Sequence, residues 1–219
     1  MNDPRHPVDP DTEVRAVDRR LVERERDGAT ARVATISRSY DTSAEDLWDA
    51  CTAADRIGRW FVPVTGELRL GGCYQLEGNA DGTVTECDPP RSFAATWEYG
   101  GDVSWITVSV SAEPDGRSRM TLEHTAHVDD ECWAEYGPGA TGVGWDLGLL
   151  ALAGHLAGDP RPADPEALVA TPEYRRFIAA SSDAWARRSV EAGTPEREAL
   201  AAGRRTTAFY TGVPEQPEG

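Results

Sequence analysis

The chain has no lysine: all 22 basic residues among its 219 are arginine. That removes every mechanism in which a lysine amine forms a Schiff base. Positive charge is scarce as well, with 38 acidic residues giving a formal net charge of −16. Phosphate backbones repel such a surface, so no nucleic-acid partner is expected. No apolar run approaches the ~20 residues that span a bilayer, so no membrane partner is expected either. Residues 1–10 lack an apolar h-region, which makes a cytoplasmic location the expectation. None of the four cysteines sits in a C-x-x-C pair, which argues against a zinc knuckle or a redox pair. Free thiols are expected in a reducing compartment, with a Cys73–Cys87 bridge between neighbouring strands left open. G-x-S-x-G, a P-loop and a dinucleotide fingerprint are all missing. No cofactor or metal is therefore expected. His124 and His127 fall on opposite strand faces by parity and make a poor metal pair.

What is present is a series of short alternating stretches. Strands are expected near residues 16–25 and over Ala31–Tyr40, joined at Asp27-Gly28, a strong type I′ hairpin signal. Ser43 with Asp46 resembles a capping box ahead of a helix over Ala44–Ala54, and one more helical turn follows to Phe61. Six further strands are expected over Glu67–Leu70, Cys73–Glu77, Gly82–Glu86, Ser92–Tyr99, Val103–Glu113 and Ser118–Val128. Tight Gly, Asp-Gly and Pro-Pro turns separate them, which implies an antiparallel meander. Asp129–Gly139 is expected to be a loop. Gly137–Gly142 looks like a mobile mouth or lid. A helix over Gly144–Gly158 then carries Trp145, Leu149, Leu152 and Leu156 on one face. It is ~20 Å long at 1.5 Å per residue, enough to cross the meander. The fold class is α+β, with a curved antiparallel sheet around this helix.

Outside that unit, residues 1–13 look like a disordered tail and 159–170 like a proline-rich linker. Thr171-Pro172-Glu173 and Thr194-Pro195-Glu196 each supply a cap and a first-turn proline for two helices within 171–211. The first carries a stripe of Tyr174, Phe177, Ile178, Ser181 and Trp185, which must cap the sheet or form a homodimer interface. The second carries Leu200, Thr207 and Tyr210. Residues 212–219 complete the chain as a tail. Arg15, Arg19, Arg20, Arg24 and Arg26 alternate with acids and are expected on a solvated face.

Several short motifs occur in a specific order. They are Arg38-Ser39-Tyr40, Leu47-Trp48, Arg59-Trp60-Phe61, Gly71-Gly72, Pro89-Pro90-Arg91, Thr96-Trp97-Glu98, Leu122-Glu123-His124 and Gly144-Trp145. Together they make residues 31–157 resemble the START-like (SRPBCC) superfamily, in the branch named after the heat-shock protein 90 ATPase activator. Bacterial members are also labelled polyketide cyclase-like. The resemblance implies a helix-grip (Bet v 1/START-like) fold for residues 14–158, with an apolar cavity between sheet and long helix. The helices of 171–211 and the N-terminal hairpin are additions to that pattern.

The expected function is binding of a small hydrophobic or aromatic ligand in that cavity. Candidate ligand-binding residues are Trp48, Trp60, Phe61, Tyr74, Trp97, Met120, His124, Trp145, Leu149 and Leu152. Packing competes with this role for every ring, Trp105 and Trp133 included. His124 shares an apolar strand face with Met120, Leu122 and Ala126. It is the catalytic candidate if the protein is a cyclase- or dehydratase-like lyase, and otherwise a buried histidine with a structural hydrogen bond. Arg38, Glu77, Glu98 and Glu123 are candidates for charge at the cavity rim. The family analogy adds a chaperone as a third kind of partner, through ATPase activation.

Overall fold

In the computed structural model, which describes residues 9–127, 130–159, 167–168 and 170–213, one eight-stranded antiparallel sheet carries the fold. The strands are β1 (Val17–Arg26), β2 (Ala29–Tyr40), β3 (Val64–Gly66), β4 (Cys73–Leu76), β5 (Asp81–Asp88), β6 (Ser92–Tyr99), β7 (Asp102–Ala112) and β8 (Ser118–His127). Their spatial order is β1-β2-β8-β7-β6-β5-β4-β3. Six strands therefore form a meander, and the N-terminal hairpin joins it through β2 on β8. Asp27 and Gly28 both have positive φ, as a type I′ turn requires.

The strand expected over Glu67–Leu70 is displaced: pairing occurs over β3 instead, and residues 67–72 form the turn into β4. Gly66 and Gly72 set that turn, because a Cβ at either would collide with nearby backbone. Cys73 lies opposite Thr83 and Cys87 opposite Phe93, so the two thiols do not face each other and remain free.

Two helices, α2 (Ala44–Thr52) and α3 (Ala54–Trp60), follow β2. The Ser43 hydroxyl accepts from the Asp46 amide and caps α2. Arg56 reaches back from α3 to the Asp46 carboxylate at 2.6 Å and fixes the angle between them. After β8 come α4 (Asp130–Tyr136) and the long α5 (Gly139–Leu156). The segment expected to be a loop and lid is thus largely helical. Its glycines have a tertiary reason: a methyl group at Gly142 would lie inside the Trp185 indole, and one at Gly139 would crowd Thr206. They let two C-terminal helices approach α5 closely.

Those helices are α6 (Pro172–Glu191) and α7 (Glu196–Thr211). Thr171 caps α6 as expected, with Pro172 in its first turn. The second Thr-Pro-Glu does not repeat the device. Pro195 is the N-cap of α7, and Thr194 instead engages the Ser189 hydroxyl. The face of α7 that is buried carries Ala199, Ala202, Gly203 and Thr206, whereas Leu200 is 39% exposed. On α6, Phe177, Ile178 and Trp185 are almost fully buried against this chain's own core. The stripe is thus covered internally, and covering it requires no second copy. A short helix, α1 (Pro10–Arg15), also packs on α6, so order reaches into the expected tail. Residues 1–8, most of the expected linker, Val128 and residues 214–219 lie outside the described residues.

One ion pair ties the additions to the main domain. Asp146 of α5 is 0% exposed and receives Arg19 of β1 at 2.6 and 3.0 Å. The same carboxylate accepts from the Ser181 hydroxyl at 2.5 Å and the Trp185 indole at 2.9 Å, both on α6. Arg19 is therefore not on the solvated face. Its partner in β2 is Ile36, and the pleat turns both inward.

Candidate functional site

A cavity of about 280 Å³ lies between the meander and the helices α2, α3 and α5. It greatly exceeds the ~10–15 Å³ that one water needs, and sits just below the ~300–1,000 Å³ typical of ligand pockets. Its floor is the concave sheet: Phe93, Ala95 and Trp97 of β6, Ile106 and Val108 of β7, Met120 and Leu122 of β8. Alternation puts these residues on one face, and the remaining walls come from the short strands and the α2–α3 pair.

The walls are rich in rings. Phe61 stacks on Trp145 with centroids 6.2 Å apart and planes 15° apart. Trp145 meets Trp97 edge-on at 5.0 Å, Trp60 leans on Phe61 at 5.6 Å, and Trp48 meets Phe93 at 6.3 Å. The Trp60 indole donates to the Ala50 carbonyl at 3.0 Å, which holds α3 against α2.

Seven of the ten candidate residues line this space: Trp48, Trp60, Phe61, Tyr74, Trp97, Met120 and Trp145. Leu149 and Leu152 do not. Each successive turn of α5 advances ~5.4 Å, and theirs belong to the solid core with Ile36 and Tyr40 of β2 and Leu47 of α2. α5 contributes Trp145 alone to the cavity lining. Trp105 faces the other side of the sheet under the Arg26 guanidinium, and Trp133 of α4 lies under that of Arg32. Arg38, Glu77, Glu98 and Glu123 do not line the cavity. Arg38 pairs with Glu13 at 2.7 Å beside Tyr40, and Glu98 accepts from the Thr96 hydroxyl. Val64, Leu76, Val84 and Ile57 line it without having been singled out, because aliphatic residues on strands or helices carry no signal that separates cavity from core.

His124 stands behind the ring wall and does not line this cavity. Its Nδ1 accepts from the Trp145 indole at 2.9 Å, and its Nε2 lies 2.8 Å from the Ser104 hydroxyl. An indole N–H only donates, so Nδ1 is unprotonated and Nε2 carries the hydrogen. Ser104 passes the chain on to the Trp97 carbonyl at 3.0 Å. Both ring nitrogens are thus engaged, Nδ1 directly by Trp145 of the cavity wall and Nε2 by Ser104, which links it to Trp97 of the same wall.

Burial pushes the His124 pKa down to about 4. The unfolded chain, with a histidine pKa of ~6.5, therefore takes the proton first as pH falls. Stability tied to this group is complete above ~6.5 and lost between there and about 4, by about 3 kcal/mol in all. In His124→Gln, the loss of folding free energy between pH 7.5 and 4.5 should shrink by about 2–3 kcal/mol relative to the parent. Urea titrations at both pH values measure it. An unchanged difference would mean that His124 titrates normally.

A family model described as Activator of Hsp90 ATPase homolog 1-like protein matches residues 41–157. Among solved structures, the crystal structure of CalU16 from Micromonospora echinospora is 33% identical, with a TM-score of 0.64. That match covers 79% of this chain and 98% of CalU16, so it is wider than the family model's span. PFC0360w, an HSP90 activator from Plasmodium falciparum, shares the fold at 22% identity and a TM-score of 0.50, over 59% of this chain and 99% of that one. Among curated proteins, translation initiation factor IF-2 of Ehrlichia ruminantium (strain Gardel) is 32% identical over 100 residues, 45% of this chain. The chain spans only 11% of the length of that relative.

Proposed function

Since the chain belongs to the Activator of Hsp90 ATPase homolog 1-like family, we propose that it uses the grip cavity to bind a small hydrophobic or aromatic ligand without transforming it. The observation that carries this reading is the roomy, ring-lined space joined to a histidine whose nitrogens are already spent. Exposed rings and aliphatic walls offer burial to a flat apolar molecule, at ~25 cal/mol per Å² of apolar surface removed from water. A cyclase- or dehydratase-like mechanism would need a proton donor or acceptor aimed into the cavity, and His124 offers no free lone pair to a substrate.

Neutral polycyclic aromatics such as 2-acetylnaphthalene should raise the melting temperature of the full chain, with a shift that grows as the logarithm of concentration above Kd. Ala95→Phe projects a ring into the cavity from the middle of β6 and should remove that shift while leaving the protein folded. Equal shifts in the parent and in Ala95→Phe would contradict a ligand site here. Activation of an Hsp90-type chaperone remains a second reading, supported by the family match over 41–157. It requires stimulation of a chaperone ATPase by the purified chain, and a flat response would remove it.

A further inference from the structure

We infer that the cavity selects ligands that are uncharged over their whole buried part, and that it rejects their ionised isosteres of either sign. This rests on the proposed binding function and narrows the ligand's chemistry. None of the described residues lining the cavity is a carboxylate, a guanidinium or an imidazole. The lining also contains Tyr74 and the thiols of Cys51 and Cys87; burial pushes the pKa values of Tyr74 and Cys51 up to about 12, so those two stay neutral. The polar hydrogens of the wall are largely committed. The Thr52 hydroxyl donates to the Trp48 carbonyl at 2.7 Å, and the Tyr74 hydroxyl to the Thr96 carbonyl at 2.6 Å. The Trp60 and Trp145 indoles donate to Ala50 and His124. A charge carried inside would lose its water and gain no counter-charge, which is the costliest kind of burial.

The rim gives the same answer. Leu68 lines the cavity and is 37% exposed, and Pro89 lines it from an exposed corner, so the opening lies between the 67–72 turn and the 88–91 corner. Charges beside both come in opposite pairs: Glu67 with Arg69 at 2.5 Å, and Asp88 with Arg91 at 2.8 Å. Among the described residues, no unmatched arginine stands there to hold an anionic head outside while an apolar tail enters. The net charge of −16 adds long-range repulsion for anions. It attracts cations, but none of the described lining residues is a carboxylate to receive one.

Three isosteric probes separate the outcomes: 2-acetylnaphthalene, 2-naphthoate and 2-(aminomethyl)naphthalene, titrated calorimetrically into the full chain at pH 7.5. Only binding that Ala95→Phe removes counts as cavity binding. The neutral ketone should bind at least ~10-fold more tightly than either ion. Cavity binding of the carboxylate or the ammonium as tight as that of the ketone would overturn the inference while leaving the binding function intact. No cavity binding by any of the three would overturn both.

Discussion

Asp146→Ala is expected to lose roughly 3–5 kcal/mol of folding free energy, the usual result of removing one partner from a buried ion pair. The Arg19 side chain is 5% exposed, and without the carboxylate its Nε and Nη2 have nothing to replace it. Its Nη1 keeps the Val14 and Val17 carbonyls, so the residue cannot simply swing into water. Ser181 and Trp185 lose their acceptor in the same step, which loosens α6 from α5. Asp146→Asn retains an acceptor oxygen but no charge, and should fall between the parent and Asp146→Ala. Replacing both partners by apolar residues, Arg19→Met with Asp146→Leu, should recover most of the loss, because no uncompensated charge stays buried. Urea denaturation of the set reads the order directly. A loss below ~1 kcal/mol in Asp146→Ala would mean that the C-terminal helices are held by apolar contact alone.

Trp145→Ala should cost ~3–5 kcal/mol, as for a large core ring, and should also enlarge the cavity. The ring stacks on Phe61, meets Trp97 and donates to His124, so it is part of the core and of the cavity wall at once. Trp145→Phe isolates the hydrogen bond. It keeps most of the ring area but leaves the His124 Nδ1 lone pair buried without a donor, at about 1–3 kcal/mol. A second consequence distinguishes the two variants from ordinary core losses. With no indole N–H to accept from, His124 is freer to take a proton, so its pKa should rise from about 4 toward ~6.5. An NMR titration of the imidazole follows that shift. An unmoved pKa in Trp145→Phe would remove the Trp145–His124 link from the account.

Strand alternation and turn chemistry made most of the sheet legible beforehand. β6 lies over the expected residues, and β2, β7 and β8 deviate only at their ends. Trp48, Trp60, Trp97 and Trp145 were legible as a set because their motif positions carry a resemblance that periodicity alone does not. The misses have physical reasons. Arg19 sits among charges that do face water, and nothing local tells an inward pleat position from an outward one when its partner is Asp146, 127 residues away. Gly137–Gly142 suggested mobility because glycine is locally permissive. Its actual use is close approach to Trp185 and Thr206, which belong to helices later in the chain. Leu149 and Leu152 shared a helical face with Trp145, but a face does not say where along its length the sheet stops being filled and the cavity begins.

The central claim, that this cavity takes up a neutral apolar ligand, is most directly tested at Met120. It lines the cavity floor, and the chain has only two methionines, the other being Met1. In the methyl-labelled full chain, 2-acetylnaphthalene should shift the Met120 methyl resonance strongly and saturably, give intermolecular contacts to it and to the Ala95 methyl, and leave Met1 unmoved. A titration that leaves the Met120 resonance in place, or that produces contacts only to residues outside the cavity, would contradict the account.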